Sequence, residues 1–332
     1  MFPWMNEAQA SLSVRPARPE DIHDIEQLLQ SSSRTHIHTD WRSPMDWIGR
    51  APALVAENRY GLAGCLVTPA DPTPAAWIRL AAVAHGAPPA AVMRPLLEAA
   101  LAALADQAAT SLAAMPVKPW LPAILDDMGF AIVEQVSTWE KPDLSIPHGG
   151  SPDTRVRAAR PADMPNLAVI ERAAFAPRWR HSAETLLHIL VQAASFAVAE
   201  WRGSVVGFQF SQAGDDRAHL VRLTVHPAAQ KYGVGSRLLA AALESYAGLG
   251  LSTVSLNTQA DNFSSTAYTP PLASDQSALR FLFGNGQFDP RTALEPGAQD
   301  TLFALSLPVR GAPLDTDLER YPKSSMHYKS VY

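Results

Sequence analysis

A single cysteine, Cys65, stands in a chain of 332 residues, so neither an internal disulfide framework nor a cysteine-based zinc site is available. Positive charge is not in surplus. Lys and Arg number 27 against 32 Asp and Glu, a formal charge of −5. That excludes nonspecific binding to nucleic acid or an anionic membrane as the main task, because both need a basic surface. Long apolar runs are missing too. The longest, 98–114, is mostly alanine and is broken by Glu98, Asp106 and Gln107, too short and too polar to span a bilayer. The opening MFPWMNEAQASLSVRP has no basic segment followed by an apolar one, unlike a secretory leader. These absences predict a soluble, cytoplasmic protein. With 47% apolar residues and roughly 100–200 residues per domain, the chain has material for about two cores.

What is present is a repeat. Val14-Arg-Pro-Ala-Arg-Pro-Glu-Asp21 returns as Val156-Arg-Ala-Ala-Arg-Pro-Ala-Asp163, 142 positions later. Each copy is an extended segment running into an apolar-periodic helix, over 22–30 and 164–174, with Pro and Asp suited to the first helical turn. Leu54-Val-Ala-Glu57 and Ala197-Val-Ala-Glu200 each precede a polar tip with glycine and a second strand, which reads as a hairpin in both copies. Arg79-Leu80 echoes Arg222-Leu223, and closing strands are expected at 131–140 and 301–309. A period this long, present twice, means two copies of one domain. The expected organisation is a first domain over 12–142, a linker over 143–154, a second domain over 155–312 and a polar tail over 313–332, with a Ser/Thr/Pro-rich insertion at 263–276. Each unit reads as α+β, a mixed, mostly antiparallel sheet flanked by helices.

The stretch richest in chemistry follows the strand His219-Leu-Val-Arg-Leu-Thr-Val-His-Pro227. It runs Gln230-Lys-Tyr-Gly-Val-Gly-Ser236 into a helix with Leu238, Leu239, Ala242 and Leu243 on its inward face. Glycines let a ligand approach the backbone, and free N–H groups at a helix start favour an anion, above all a pyrophosphate. No G-K-[ST] follows, so this is not a P-loop, and the preceding hairpin is not the βαβ of a dinucleotide fold. Gln230, Gly233 and Gly235 fill the Q/R-x-x-G-x-G/A signature after a strand ending V-x-P, and the sequence here resembles motif A of the GNAT superfamily of acyl-CoA-dependent N-acyltransferases. The resemblance covers about 156–309 and, by the repeat, extends the fold to 14–140. The first copy has Ala87-Pro-Pro-Ala-Ala-Val-Met93 at the loop, where prolines remove donors and no glycine admits phosphates. It is expected to be degenerate.

The resemblance implies an N-acetyltransferase that moves an acetyl group from acetyl-CoA, a co-substrate, to a primary amine by direct attack in the second domain. The loop Gln230, Lys231, Tyr232, Gly233, Val234, Gly235 and Ser236 would hold the pyrophosphate. Leu223, Thr224 and Val225 would pair with the pantetheine, helped by Asn257 and Asn262, and the Val225 N–H would polarise the thioester carbonyl. Relatives place a base early on the strand before the loop; His219 occupies such a position, with Glu200, the twin of Glu57, in reserve. The tyrosine that relatives carry in the last helix is replaced by Leu282, leaving Tyr268 in the insertion as the candidate acid. No metal is called for: Thr35-His-Ile-His-Thr-Asp-Trp-Arg42 reads as a solvated loop or a cleft lining, and Cys65 as a buried small hydrophobe. The acceptor is a small-molecule or peptide amine, with Glu171, Glu184, Glu200, Asp215 and Asp216 suited to a cation. The protein is a monomer or homodimer. A catalytically inactive acyl-CoA-binding or regulatory protein is the alternative.

Overall fold

The computed structural model describes residues 12–50, 52–146, 149–259 and 302–309; Asn262, Tyr268, Leu282, the 263–276 insertion and the 313–332 tail lie outside them. The sequence repeat is a repeated charge fork. In the first copy Arg15 donates from Nη1 to Asp21 (2.7 Å) and from Nη2 to Glu57 (2.9 Å). In the second, Arg157 donates from Nη1 to Asp163 (2.8 Å) and from Nε to Glu200 (2.5 Å). Each Asp also accepts from a backbone N–H at the turn, Arg18 or Arg160, at 2.7 Å. The fork ties the first strand of each unit to its hairpin and to the start of its first helix. Glu200 is thus held in the same fork as its twin Glu57.

The fork sets a pH dependence. The Arg157 hydrogen bond, opposed by burial and helped by the Arg160 amide, holds the Asp163 carboxyl below its ordinary 3.8. A depressed carboxylate pKa stabilises the fold above that value, and the contribution is lost as pH falls through it. Replacing Arg157 with Gln should cost about 2 kcal/mol at neutral pH, from hydrogen bonds to charged groups. Urea melts should show the gap to wild type narrowing in acid.

The first unit contains β1 (Ser13–Pro16), α1 (Ile22–Ser31), β2 (Arg34–Ile37), β3 (Ala53–Asn58), β4 (Gly61–Val67), β5 (Ala75–Trp77), β6 (Leu80–Val83), α2 (Pro89–Asp106), β7 (Ser111–Ala114), α3 (Trp120–Asp127) and β8 (Ala131–Lys141). The second contains β9 (Thr154–Ala158), α4 (Met164–Ala174), α5 (Ala183–Gln192), β10 (Ser195–Trp201), β11 (Ser204–Ala213), β12 (Arg217–Val225), α6 (Val234–Gly248), β13 (Thr253–Gln259) and β14 (Leu302–Pro308). They form a five-stranded sheet, β1-β3-β4-β6-β2, and a nine-stranded sheet, β5-β7-β14-β8-β13-β12-β11-β10-β9. Among the described residues only β5–β7 and β12–β13 pair in parallel, so the class is α+β with mixed, mostly antiparallel sheets. The α6 residues Leu238, Leu239, Ala242 and Leu243 are fully buried against the second unit's strands.

Three features depart from a simple duplication. The strand expected after the first hairpin is split at Ile78–Arg79, β5 joining one sheet and β6 the other. The 35–42 segment is not a solvated loop: Thr35–Ile37 lie in β2 along β6, His36 is buried with a ring nitrogen 3.1 Å from the Ile78 carbonyl, and His38 stacks on Trp77 with ring centroids 4.8 Å apart. Finally, β14, from the far end of the chain, inserts between β7 and β8 of the first unit, while β8 pairs with β13 of the second. Each unit completes its sheet with a strand from the other.

Candidate functional site

Strand β12 pairs with β13 only over Arg217–Leu220. Beyond a bulge at Val221 it pairs, among the described residues, with β11 alone, so one edge of its last residues has no described strand beside it. The ladder parity decides what faces that edge. The His226 N–H donates to the Val206 carbonyl at 2.8 Å, which makes Gly207–Val225 a non-hydrogen-bonded pair. The N–H of Val225 therefore turns away from β11, toward the opening, and Leu223, opposite Gln209, has the same parity. The Val225 carbonyl is held by the Gln230 side-chain amide at 3.0 Å. Thr224 is fully buried.

The loop then turns through Lys231 (φ 69°) and Gly233 (φ 78°) into α6, whose start has no side-chain cap. First-turn amides of an α-helix have no intrahelical acceptor, so Val234, Gly235 and Ser236 present donors at the positive end of the helix dipole. Tyr232 stacks on Trp201 with centroids 4.9 Å apart. Gly233 has a second duty unseen in the sequence. Ser151 of the linker donates its N–H to the Gly233 carbonyl at 3.1 Å, and a Cβ on Gly233 would stand 2.9 Å from the Ser151 nitrogen.

The first unit shows what loss of this arrangement looks like. Its β6, matched to the end of β12 by the Arg79-Leu80 and Arg222-Leu223 echo, is covered along that edge by β2, with Ile37 opposite Leu80 and Arg34 opposite Val83. Helix α2 begins after Pro88 with Pro89 in its first turn, so two of the donors at its start are removed. The chain itself fills the edge that the second unit leaves open.

Beside the open part of β12 lies a cavity of about 220 Å³ whose wall comes from both units. The first supplies His38, Trp41, Asp71, Trp77 and Arg79; the second supplies Phe175, Arg178, Trp179, His181, Val221, Arg222 and Asn257. The walls are pinned together. Trp77 Nε1 donates to the Arg178 carbonyl (2.7 Å), Thr185 Oγ1 to Asp71 (2.7 Å) and Gln192 Nε2 to the Trp41 carbonyl (2.8 Å). Deep in this wall Glu171, from the last turn of α4, is fully buried. Its Oε2 lies 3.2 Å from Arg222 Nη2 and 3.2 Å from His181 Nδ1, and accepts the His181 backbone N–H at 3.1 Å. Arg222 Nη2 also lies 3.0 Å from His181 Nδ1, donates to the Trp179 carbonyl, and its guanidinium sits 4.0 Å above the Phe175 ring. Burial pushes Glu171 up, but Arg222 and then His181 outweigh it and hold the carboxyl below its usual value. Burial and the Arg222 charge push His181 below 6.5, against the pull of Glu171.

His219, the base expected from the sequence, lies elsewhere. It sits in the closed part of the β12–β13 ladder opposite Ser255, with Nδ1 2.9 Å from the Ser255 hydroxyl, and it does not line the cavity. Six strand residues separate it from Val225, about 20 Å at 3.3 Å per residue. Asn257 does reach the cavity, its Oδ1 accepting from Thr138 at 2.8 Å. The acidic residues suited to a cation are occupied: Glu184 pairs with Arg42 and Arg50 at 3.2 and 3.1 Å, Glu171 with Arg222, and Glu200 with Arg157. Asp215 and Asp216 are exposed in the β11–β12 turn. Cys65 is fully buried, its thiol pushed up to about 12 by burial. The proximity of His181 and Arg222 escaped the sequence reading; the only pointer was the Arg79/Arg222 echo.

Residues 164–269 match the acetyltransferase (GNAT) family. Among solved structures, the fold is similar to a GCN5-related N-acetyltransferase from Sphaerobacter thermophilus (14% identity, TM-score 0.51, covering 91% of this chain and 97% of that one). It is also similar to a tandem GNAT protein from the clavulanic acid biosynthesis pathway (16% identity, TM-score 0.51, covering 92% and 100%). A third, from Kribbella flavida, is another GCN5-related N-acetyltransferase (14% identity, TM-score 0.59, covering 89% and 70%). No curated protein matches. Residues 164–269 of the second repeat thus match a GNAT family model, and the two units together have a fold similar to that of a tandem GNAT protein. Among the described residues no helix is long and apolar enough to cross a membrane.

Proposed function

Starting from a GNAT domain in the second repeat, we propose that this protein is an acyl-CoA-dependent N-acetyltransferase whose active site lies between β12 and the shared cavity. The observation that carries the proposal is the open edge of β12, where the Val225 N–H faces a gap flanked by uncapped α6 amides. Acetyl-CoA is the co-substrate. Its pyrophosphate would lie on the amides of Val234, Gly235 and Ser236, and its pantetheine along Leu223–Val225, as β2 lies along β6 in the first unit.

The chemistry assigned to the residues is simple. A neutral amine nitrogen attacks the thioester carbon, the carbonyl oxygen gathers charge against the Val225 N–H, and the C–S bond breaks to release the thiolate of CoA. The surplus proton on the new amide nitrogen passes to that thiolate, which leaves as the thiol. The ammonium form of the acceptor first gives a proton to His181. With Nδ1–H donating to Glu171, the His181 Nε2 lone pair is free to take it. Glu171 fixes the ring and is a positioning residue. A thiol of pKa near 8.5 leaves readily as thiolate, so no acid is required.

Calorimetric titration of acetyl-CoA into wild type and Gly235→Pro tests the reading. Proline fits the first helical turn and removes one donor without breaking the helix. Micromolar binding by wild type, weakened about tenfold or more in a variant of unchanged thermal stability, is the expected result, one charge-assisted hydrogen bond being worth that much. No binding by wild type overturns it.

A further inference from the structure

The acceptor has left its signature in the cavity. Two of its charged side chains lack an ionic partner among the described residues. The Asp71 carboxylate, from the first unit, accepts only from the Thr185 hydroxyl, while the residue's backbone carbonyl accepts from Arg79 Nη2 at 3.3 Å. Arg178, from the second, makes no side-chain hydrogen bond or ion pair among the described residues. The other charges are spent on each other: Arg79 on Asp40, and Arg222 on Glu171. Between them runs an aromatic wall built across the unit boundary, His38 on Trp77 at 4.8 Å and Trp77 against Trp179 at 5.3 Å. Buried polar atoms in the same wall, His38 Nδ1, Arg79 Nε and Arg222 Nε, have no hydrogen-bond partner among the described residues, the pattern of a wall shaped for a polar guest rather than for its own core.

Size narrows the choice. A cavity of about 220 Å³ admits a small molecule, one amino acid among them, with charged groups of both signs in its wall. A polyamine finds only one unspent carboxylate among the described lining residues and meets four arginines, Arg79, Arg178, Arg180 and Arg222.

Resting on the acyl-transfer reading above, we propose that the acceptor is a free amino acid with an aromatic or large apolar side chain. Its carboxylate is held by Arg178, its ammonium is guided by Asp71 toward His181, and its side chain lies on Trp77 and Trp179. The degenerate unit thereby sets specificity: it binds no CoA itself but supplies half of the acceptor pocket.

The test compares L-phenylalanine, L-phenylalaninamide, phenethylamine and spermidine. Binding is followed by calorimetry without CoA, and thiol release with acetyl-CoA present. Phenylalanine is expected to win over its carboxamide by about tenfold to a hundredfold, the worth of hydrogen bonds to a charged group. Arg178→Gln should erase that preference through KM while kcat holds, and Asp71→Asn should weaken every amine of the set. Equal or better binding of the amide or of spermidine, or no binding of phenylalanine with or without bound CoA, overturns the assignment. Phenylalanine binding without any acetyl-CoA binding overturns acyl transfer instead and leaves the amino-acid pocket standing.

Discussion

His181→Ala lowers the rate of acetyl transfer by about 10²–10³-fold, the usual worth of a placed general base, with acetyl-CoA affinity unchanged. The pH profile makes the assignment specific. Because burial and then Arg222 press the imidazole below 6.5, its basic form persists into mild acid, and the acidic limb of kcat/KM falls below that value. Glu171→Gln removes a charge that favours the protonated ring, so the limb moves further down as kcat drops. A merely structural Glu171 would change stability and leave the limb in place. His219→Ala is the control, and a loss there with His181→Ala near wild type would return the base to the β12–β13 ladder.

Leu305→Asp is the most destabilising change foreseen. Leu305 is buried in β14 between Ala114 of β7 and Ile132 of β8, in the first unit's core. Loss of the side chain costs about 2–5 kcal/mol, and a carboxylate buried without a partner adds to it. Since typical stabilities are about 5–15 kcal/mol, the variant should lie near the edge of folding. The informative readout is where the damage spreads. The mutated residue belongs by sequence to the second repeat and packs in the first, so urea melts followed by Trp fluorescence and by acetyl-CoA binding should shift together. Loss confined to the second repeat would contradict the shared sheet.

The sequence made some of this legible because some of it is local. The Arg-Pro-x-Asp signature encodes a turn and a charge fork within one short segment, and α4 spans Met164–Ala174 as the pattern implied. The loop Gln230–Gly235 is local too, and its positive-φ glycine is where a turn into a helix needs one. What was hidden is non-local. Strand β2 has polar residues on an alternation too short to read, and His36 is buried only because β6 lies beside it. Helix α5 had its signals, a Ser182 cap and apolar Leu186 and Ile189, but the first repeat has no counterpart to suggest it. The Glu171, His181 and Arg222 cluster joins a helix end, a loop and a strand at no motif spacing. Which closing strand enters which sheet is likewise unwritten in alternation, since β8 and β14 carry interchangeable patterns.

The exchange of closing strands reaches back to how the chain is made. Domains usually fold in the order in which they leave the ribosome. Here the first unit emerges early with a gap between β7 and β8, and its missing strand is not synthesised until residue 308 has been added. Through that interval two unpaired strand edges stand open, the kind of surface that recruits other chains. The first unit therefore waits on the second, and a ribosome stalled before β14 would release a molecule whose first half is unfinished.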